Sequence, residues 1–219
     1  EYKNRHNITK HVPALPLYTE KDANASLKLI KSGPNNGERF QVAPGIFASF
    51  SISGHILGSS LVLMEAEKAG DDKAGRRILF SGDLGHYDQP IIQDPTPPPA
   101  CDYLLVESTY GDRLHDPEDP KIALARVIND AAKRDAPVLI PAFAVGRTQE
   151  IVYLIRELED ENAIPVLPVS VDSPMAAAAS AAYSNRKEEH DEEYVSILRQ
   201  HRHPLRTRSM STASSRAES

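Results

Sequence analysis

SISGHILGSS at residues 51–60, SGDLG at 81–85 and ESTYG at 107–111 decide how this chain reads. Each ends a run of β-forming residues in a glycine-punctuated polar cluster. Together they set His55, Asp83 and Glu107 at one end of a sheet. An imidazole and two carboxylates gathered there form the arrangement of a metal-dependent hydrolase. A two-metal centre needs more ligands than these, and no other His-rich motif in the sequence supplies them.

Taken singly, each residue has an ordinary alternative. His55 stands between Gly54 and Gly58, which permit the tight path that aims an imidazole at a neighbouring strand end. It equally fits a loop histidine bonded to a backbone carbonyl. Asp83, between Gly82 and Gly85, suits a carboxylate bridging two cations or a turn aspartate capping its own backbone. Glu107 ends the apolar run DYLLV, where a buried carboxylate needs a metal, a cation or a donor. Asp112 and Arg113 close by suggest a local salt bridge instead.

Around these motifs the pattern is of strands. RFQVAP and GIFASFSIS read as a pair turning at Pro44–Gly45, and SLVLMEAE (60–67) and RRILFSG (76–82) as two more, joined by the polar turn AGDDKAG. DPTPPP (94–99) is a stiff connector to a strand at 102–109. Before all this, residues 1–21 read as an irregular approach and 22–31 as a helix capped by Asp22. From Asp116 the character changes to alternation: helix 119–134, strand PVLIP at 137–141, helix 146–160, strand 165–171, helix 173–183. Such alternation indicates a parallel sheet with covering helices. Residues 188–203 read as a charged helix, and the last sixteen residues as a polar tail, mobile if nothing follows it. The domain boundary is placed at 117/118.

PAFAVGRTQE (141–150) adds a second kind of chemistry. Gly146 opens a helix whose first turn carries Arg147 and Thr148, so free backbone N–H groups and a guanidinium could hold a phosphate. A plain Arg147–Glu150 pair fits as well. In VDSPMA (171–176), Asp172 or Ser173 caps and Pro174 starts a helix. His190, His201 and His203 lack an acidic or glycine scaffold, and Cys101 reads as a small buried apolar residue without a base beside it.

The formal charge of −6 argues against a broad basic surface, though not against a local basic groove. One cysteine excludes an intramolecular disulfide and a Cys-rich zinc module, and suits a reducing cytoplasm. No apolar run approaches the ~20 residues of a bilayer span. The first residues, EYKNRHNITKH, lack an apolar signal core, and both ends read as cut.

SGHILGSS, FSGDLG, LLVESTYGDR, IPAFAVGRTQE and VDSPMA, taken in order, resemble the β-CASP branch of the metallo-β-lactamase fold, over most of the chain. This branch includes the eukaryotic RNA 3′-end-processing endonuclease and bacterial and archaeal ribonucleases. The resemblance implies an α/β protein, a partial metallo-β-lactamase αββα sandwich over 1–117 followed by a partial β-CASP cap over 118–219. It implies His55 and Asp83 as metal ligands, with Asp83 bridging. It gives catalytic roles to Asp83 and to Glu107, which would orient a histidine that protonates the leaving oxygen. It further implies two zinc ions in an intact parent and single-stranded RNA as partner, with Arg147, Thr148 and Gly146 holding a phosphate. It allows a homodimer and involves no membrane. The family's HxHxDH motif and its last two histidine motifs have no counterpart in this sequence. Two ligands cannot hold a two-metal centre, so the chain by itself is expected to bind zinc weakly and not to cleave RNA. A non-catalytic RNA-binding scaffold and a small-molecule metallohydrolase are the competing readings. Retention of His55, Asp83 and Glu107 weighs against the first, and the segment 119–183 against the second.

Overall fold

A computed structural model describes residues 2–67, 75–114, 116–186 and 188–213. It divides into two units, 1–34 and 35–219. In the first, two short helices occur, α1 (Tyr2–Arg5) and α2 (Glu20–Leu27). The cap of α2 is Thr19, not Asp22. The Thr19 hydroxyl accepts from the Asp22 amide while the Asp22 carboxylate accepts from the Thr19 amide, a reciprocal capping box. Asn4 brackets Ala14 with both ends of its amide.

The second unit begins with a five-stranded sheet in simple order: β1 (Phe40–Ala43), β2 (Ile46–Ile52), β3 (Ser60–Ala66), β4 (Arg76–Phe80) and β5 (Tyr103–Leu105). The first four are antiparallel neighbours and β5 runs parallel to β4. Gly45, at φ +73°, makes the expected turn between β1 and β2. Most of the turn expected at 69–75 lies outside the described residues. β5 departs from the expectation of a buried strand: Tyr103, Leu104 and Leu105 are 52–57% exposed. It is an edge strand, and no described strand lies beyond it.

The helical part follows: α3 (Pro120–Lys133), α4 (Arg147–Asp160), α5 (Pro174–Asn185) and α6 (Glu192–Arg199). Asp119 caps α3 ahead of Pro120, and Ser173 caps α5 ahead of Pro174. Ile155 and Leu158 of α4 pack with Ile128 of α3 and Ile164, whereas Val152 and Tyr153 pack with Tyr183, Tyr194 and Ile197. The helix is therefore buried on two sides.

Two expectations are corrected here. PVLIP (137–141) joins no ladder among the described residues, and its Leu139 is 90% exposed. Strand propensity becomes a strand only where an edge accepts the backbone. The parallel pair that does form is β6 (Val169–Val171) with β7 (Met210–Thr212), the latter within the segment read as a mobile tail. Pro204, Leu205, Thr207 and Ala213 of that segment are buried. Asp160, at the end of α4, also gathers the guanidinium groups of Arg156, Arg202 and Arg208. A few apolar anchors and one carboxylate thus hold a segment whose average polarity hides them. Residues 214–219 lie outside the described residues. No described helix is long and apolar enough to cross a membrane.

Candidate active site at the sheet end

The register places the three motif residues at one sheet end. Ile52 pairs with Ser60 where β2 turns into β3, and β4 and β5 finish at the same end. His55 sits in the β2–β3 loop, Asp83 three residues past β4 and Glu107 two past β5. Three tight contacts hold the loops together. The Ser53 hydroxyl, fully buried, donates to the Asp83 carbonyl at 2.8 Å. The Gly85 amide donates to the Ser53 carbonyl at 2.8 Å. A Cβ on Gly85 would lie 1.8 Å from the Gly54 carbonyl oxygen, so only glycine permits this approach.

Glu107 is committed to its surroundings. Its carboxylate accepts the Leu84 amide at 3.2 Å and the Thr109 amide at 3.0 Å. The Thr109 hydroxyl, then these two amides and the nearby His55, draw its pKa from 4.5 down to about 2. Glu107 therefore stays ionised and ties the Asp83 loop to the end of β5. The salt bridge suggested by the sequence does not form, because Arg113 pairs with Asp112. Asp83 and His55 are exposed, and neither side chain hydrogen-bonds to a described residue. A free carboxylate and a free imidazole are donors of the type zinc accepts. Their number falls short: among the described residues no three His, Cys, Asp or Glu side chains group to hold a metal ion.

The start of α4 lies against the same loop. A Cβ on Gly146 would stand 2.9 Å from Ile56 Cγ2. The expected free amides are largely engaged here. The Gly146 amide donates to Gln149 Oε1, that of Arg147 to the Val145 carbonyl and that of Thr148 to the Phe143 carbonyl. The Thr148 hydroxyl also donates to Phe143. Gly146 and Thr148 thus shape the turn with these groups. Arg147 pairs with Glu150 at 2.7 Å yet keeps a side chain 61% exposed. It remains the group here that could meet an anion.

Gln149, in the same first turn, is fully buried, and its Nε2 serves Ala144, Ala176 and Ser180. His190 is a buried ring between the carbonyls of Ile91 and Tyr183. Sequence reasoning missed Tyr183 and Glu189, which reach the His55 loop, since nothing in their spacing marks them. Cys101 is half-buried.

The fold and this site define a mixed α/β protein that carries metal-type donors at a sheet end, with a helical part packed against the loop that bears one of them. The family it matches is the β-CASP group of metallo-β-lactamase-fold RNA-processing nucleases. Residues 148–219 match the Beta-Casp domain. A ribonuclease of Thermus thermophilus is 33% identical over 159 residues, 72% of this chain and 35% of that protein. Cleavage and polyadenylation specificity factor 73 of Drosophila melanogaster is 31% identical over 170 residues, 76% of this chain and 24% of the relative. The transcription termination factor FttA of a Lokiarchaeum is 30% identical over 186 residues, 83% and 28% of the two chains. The chain thus spans between about a quarter and a third of the length of these relatives.

Proposed function

We propose that this chain is part of a cytoplasmic, metal-dependent nuclease that hydrolyses phosphodiester bonds in single-stranded RNA. The reading is carried by the placement of His55, Asp83 and Glu107 at one sheet end with the start of α4 packed on the same loop. The names of the matched relatives support RNA as the substrate class. Residues 1–117 would form the metallo-β-lactamase-like part, an αββα sandwich when complete, and 118–219 the β-CASP cap. A homodimer is not part of the proposal, since no observation favours it.

Zinc is the metal the donor set suits, and the donors present are too few to retain it tightly. A bound divalent metal supplies Lewis-acid chemistry and a nucleophile at neutral pH. His55 would offer its imidazole and Asp83 its carboxylate to the metal. Glu107, held ionised, fixes the Asp83 loop and presents negative charge toward His55. The Arg147 guanidinium, largely exposed beside its Glu150 partner, would meet a flanking phosphate.

The test compares this chain with the intact parent for zinc retained after dialysis and for cleavage of a single-stranded RNA oligonucleotide. The parent is expected to cleave, and Asp83→Ala to abolish cleavage. The chain alone is expected to lose its zinc and to be inactive. Tight stoichiometric zinc with cleavage by the chain alone, or undiminished turnover in Asp83→Ala, refutes the assignment.

A further inference from the structure

The four consecutive amides of the His55 loop share an unusual fate. Loop amides that do not face water need an acceptor from somewhere. Those of His55 and Ile56 both donate to the Ser59 hydroxyl oxygen, at 3.0 and 3.1 Å. The next two leave the loop altogether. The Leu57 amide donates to the Tyr183 hydroxyl at 3.2 Å, and the Gly58 amide to a Glu189 carboxylate oxygen at 2.6 Å. Both acceptors lie more than 120 residues away in sequence, at the end of α5 and just beyond it. The second bond is charge-assisted and correspondingly strong.

The acceptors are themselves fixed. Tyr183 is 3% exposed, and its carbonyl is held by the His190 ring at 2.6 Å. That ring is buried, stacks on Tyr194 with centroids 4.0 Å apart, and reaches the Ile91 carbonyl with its other nitrogen. Glu189 is flanked by backbone bonds to segment 91–93, including Gln93 N to the Glu189 carbonyl. Leu57 completes the clasp by packing against the cluster around Tyr153 and Tyr183.

We propose that Tyr183 and Glu189 are positioning residues for His55. They set the backbone path of residues 57–58 from the helical part, so that the imidazole is aimed only while Tyr183 and Glu189 are seated. The inference rests on His55 as a site residue, as proposed above. It makes the helical part a determinant of the donor geometry as well as a cover.

The experiment uses the whole chain, by NMR, with Glu189→Ala, Glu189→Gln and Tyr183→Phe. Loss of the carboxylate is expected to speed amide exchange at Gly58 about ten-fold and to shift the His55 ring resonances. Tyr183→Phe should do the same at Leu57. Glu189→Gln keeps an acceptor oxygen and should restore most of the protection, which a general loss of structure would not. Unchanged His55 resonances in both Glu189→Ala and Tyr183→Phe overturn the proposal. So does acceleration that is equal at Gly58 and at the amides of α4, since that is global opening. A zinc titration of the intact parent separates the two readings. If zinc moves neither His55 nor Asp83 there, the metal reading fails, while the positioning still stands or falls on the His55 shift in the variants.

Discussion

Gly146→Ala should destabilise the second unit by about 2–4 kcal/mol, and the reason divides into two parts. Gly146 lies at φ 82°, ψ −76°, and the Arg147 amide donates across it to the Val145 carbonyl at 3.2 Å. That is the rare form of the three-residue γ-turn, which a side chain occupies only under strain. Holding alanine there costs about 1–3 kcal/mol. The added methyl would then stand 2.9 Å from Ile56 Cγ2, well inside carbon–carbon contact, and relieving this adds about 1 kcal/mol. Against a typical total of about 5–15 kcal/mol the loss is large, and urea unfolding resolves it as a lowered midpoint. Gly146→Ala combined with Ile56→Ala separates the parts. The crowding term should vanish as a coupling of about 1 kcal/mol, leaving the backbone term. Gly45→Ala, also at positive φ but with nothing within 4 Å of its Cβ, serves as a strain-only reference. A Gly146→Ala loss below about 0.5 kcal/mol, or its full recovery in the double variant, refutes the backbone argument.

Three further outcomes follow from the same geometry. Because the Glu107 pKa is lowered from 4.5 to about 2, its tie to Leu84 and Thr109 is complete above pH 4.5 and is lost as pH falls toward 2; Thr109→Val should raise the carboxyl pKa in a ¹³C titration, and an unchanged value removes the hydroxyl as the leading cause. His190→Phe withdraws the ring from the carbonyls of Ile91 and Tyr183 and should cost about 1–3 kcal/mol, measured by urea unfolding. Arg147→Ala in the intact parent should cost no more than about 1 kcal/mol of stability, the guanidinium being largely exposed, yet lower the salt slope of RNA binding by roughly one; an unchanged slope excludes Arg147 as a phosphate contact.

The sheet was legible because its strands are written as alternation broken by Gly and Pro. Phe40–Ala43 and Ile46–Ile52 pair around Pro44–Gly45 where the pattern placed them. Helices α3, α4 and α5 were legible from Asp119, Gly146 and Ser173–Pro174 at their starts. PVLIP was not, since local composition cannot say whether a neighbouring strand is there to receive it. β7 failed for the opposite reason: MST carries little strand signal, and its pairing is secured by Leu205, Ala213 and the Arg208–Glu159 bond elsewhere. For the site, the glycine-flanked His55 and Asp83 were legible because close backbone approach demands glycine, as the 1.8 Å approach at Gly85 shows. Their supports were not, because a tyrosine hydroxyl or a helix-end carboxylate has no preferred spacing.

The same comparison explains why the two halves of the second unit act as one. A boundary at 117/118 follows the change of pattern from strands to alternation, and pattern records only how each half buries its own apolar face. It does not record polar bonds that cross between them. Here those bonds fall on the His55 loop: two of its amides are answered by Tyr183 and Glu189, and Ile56 abuts Gly146. A loop that bears an exposed imidazole and is built on glycines has little packing of its own with which to hold a shape. It borrows that shape from buried rings in the other half, where Tyr183 lies tilted against His190 and His190 stacks on Tyr194. Substitutions in that ring cluster should therefore register first at His55, before the sheet that carries it loosens.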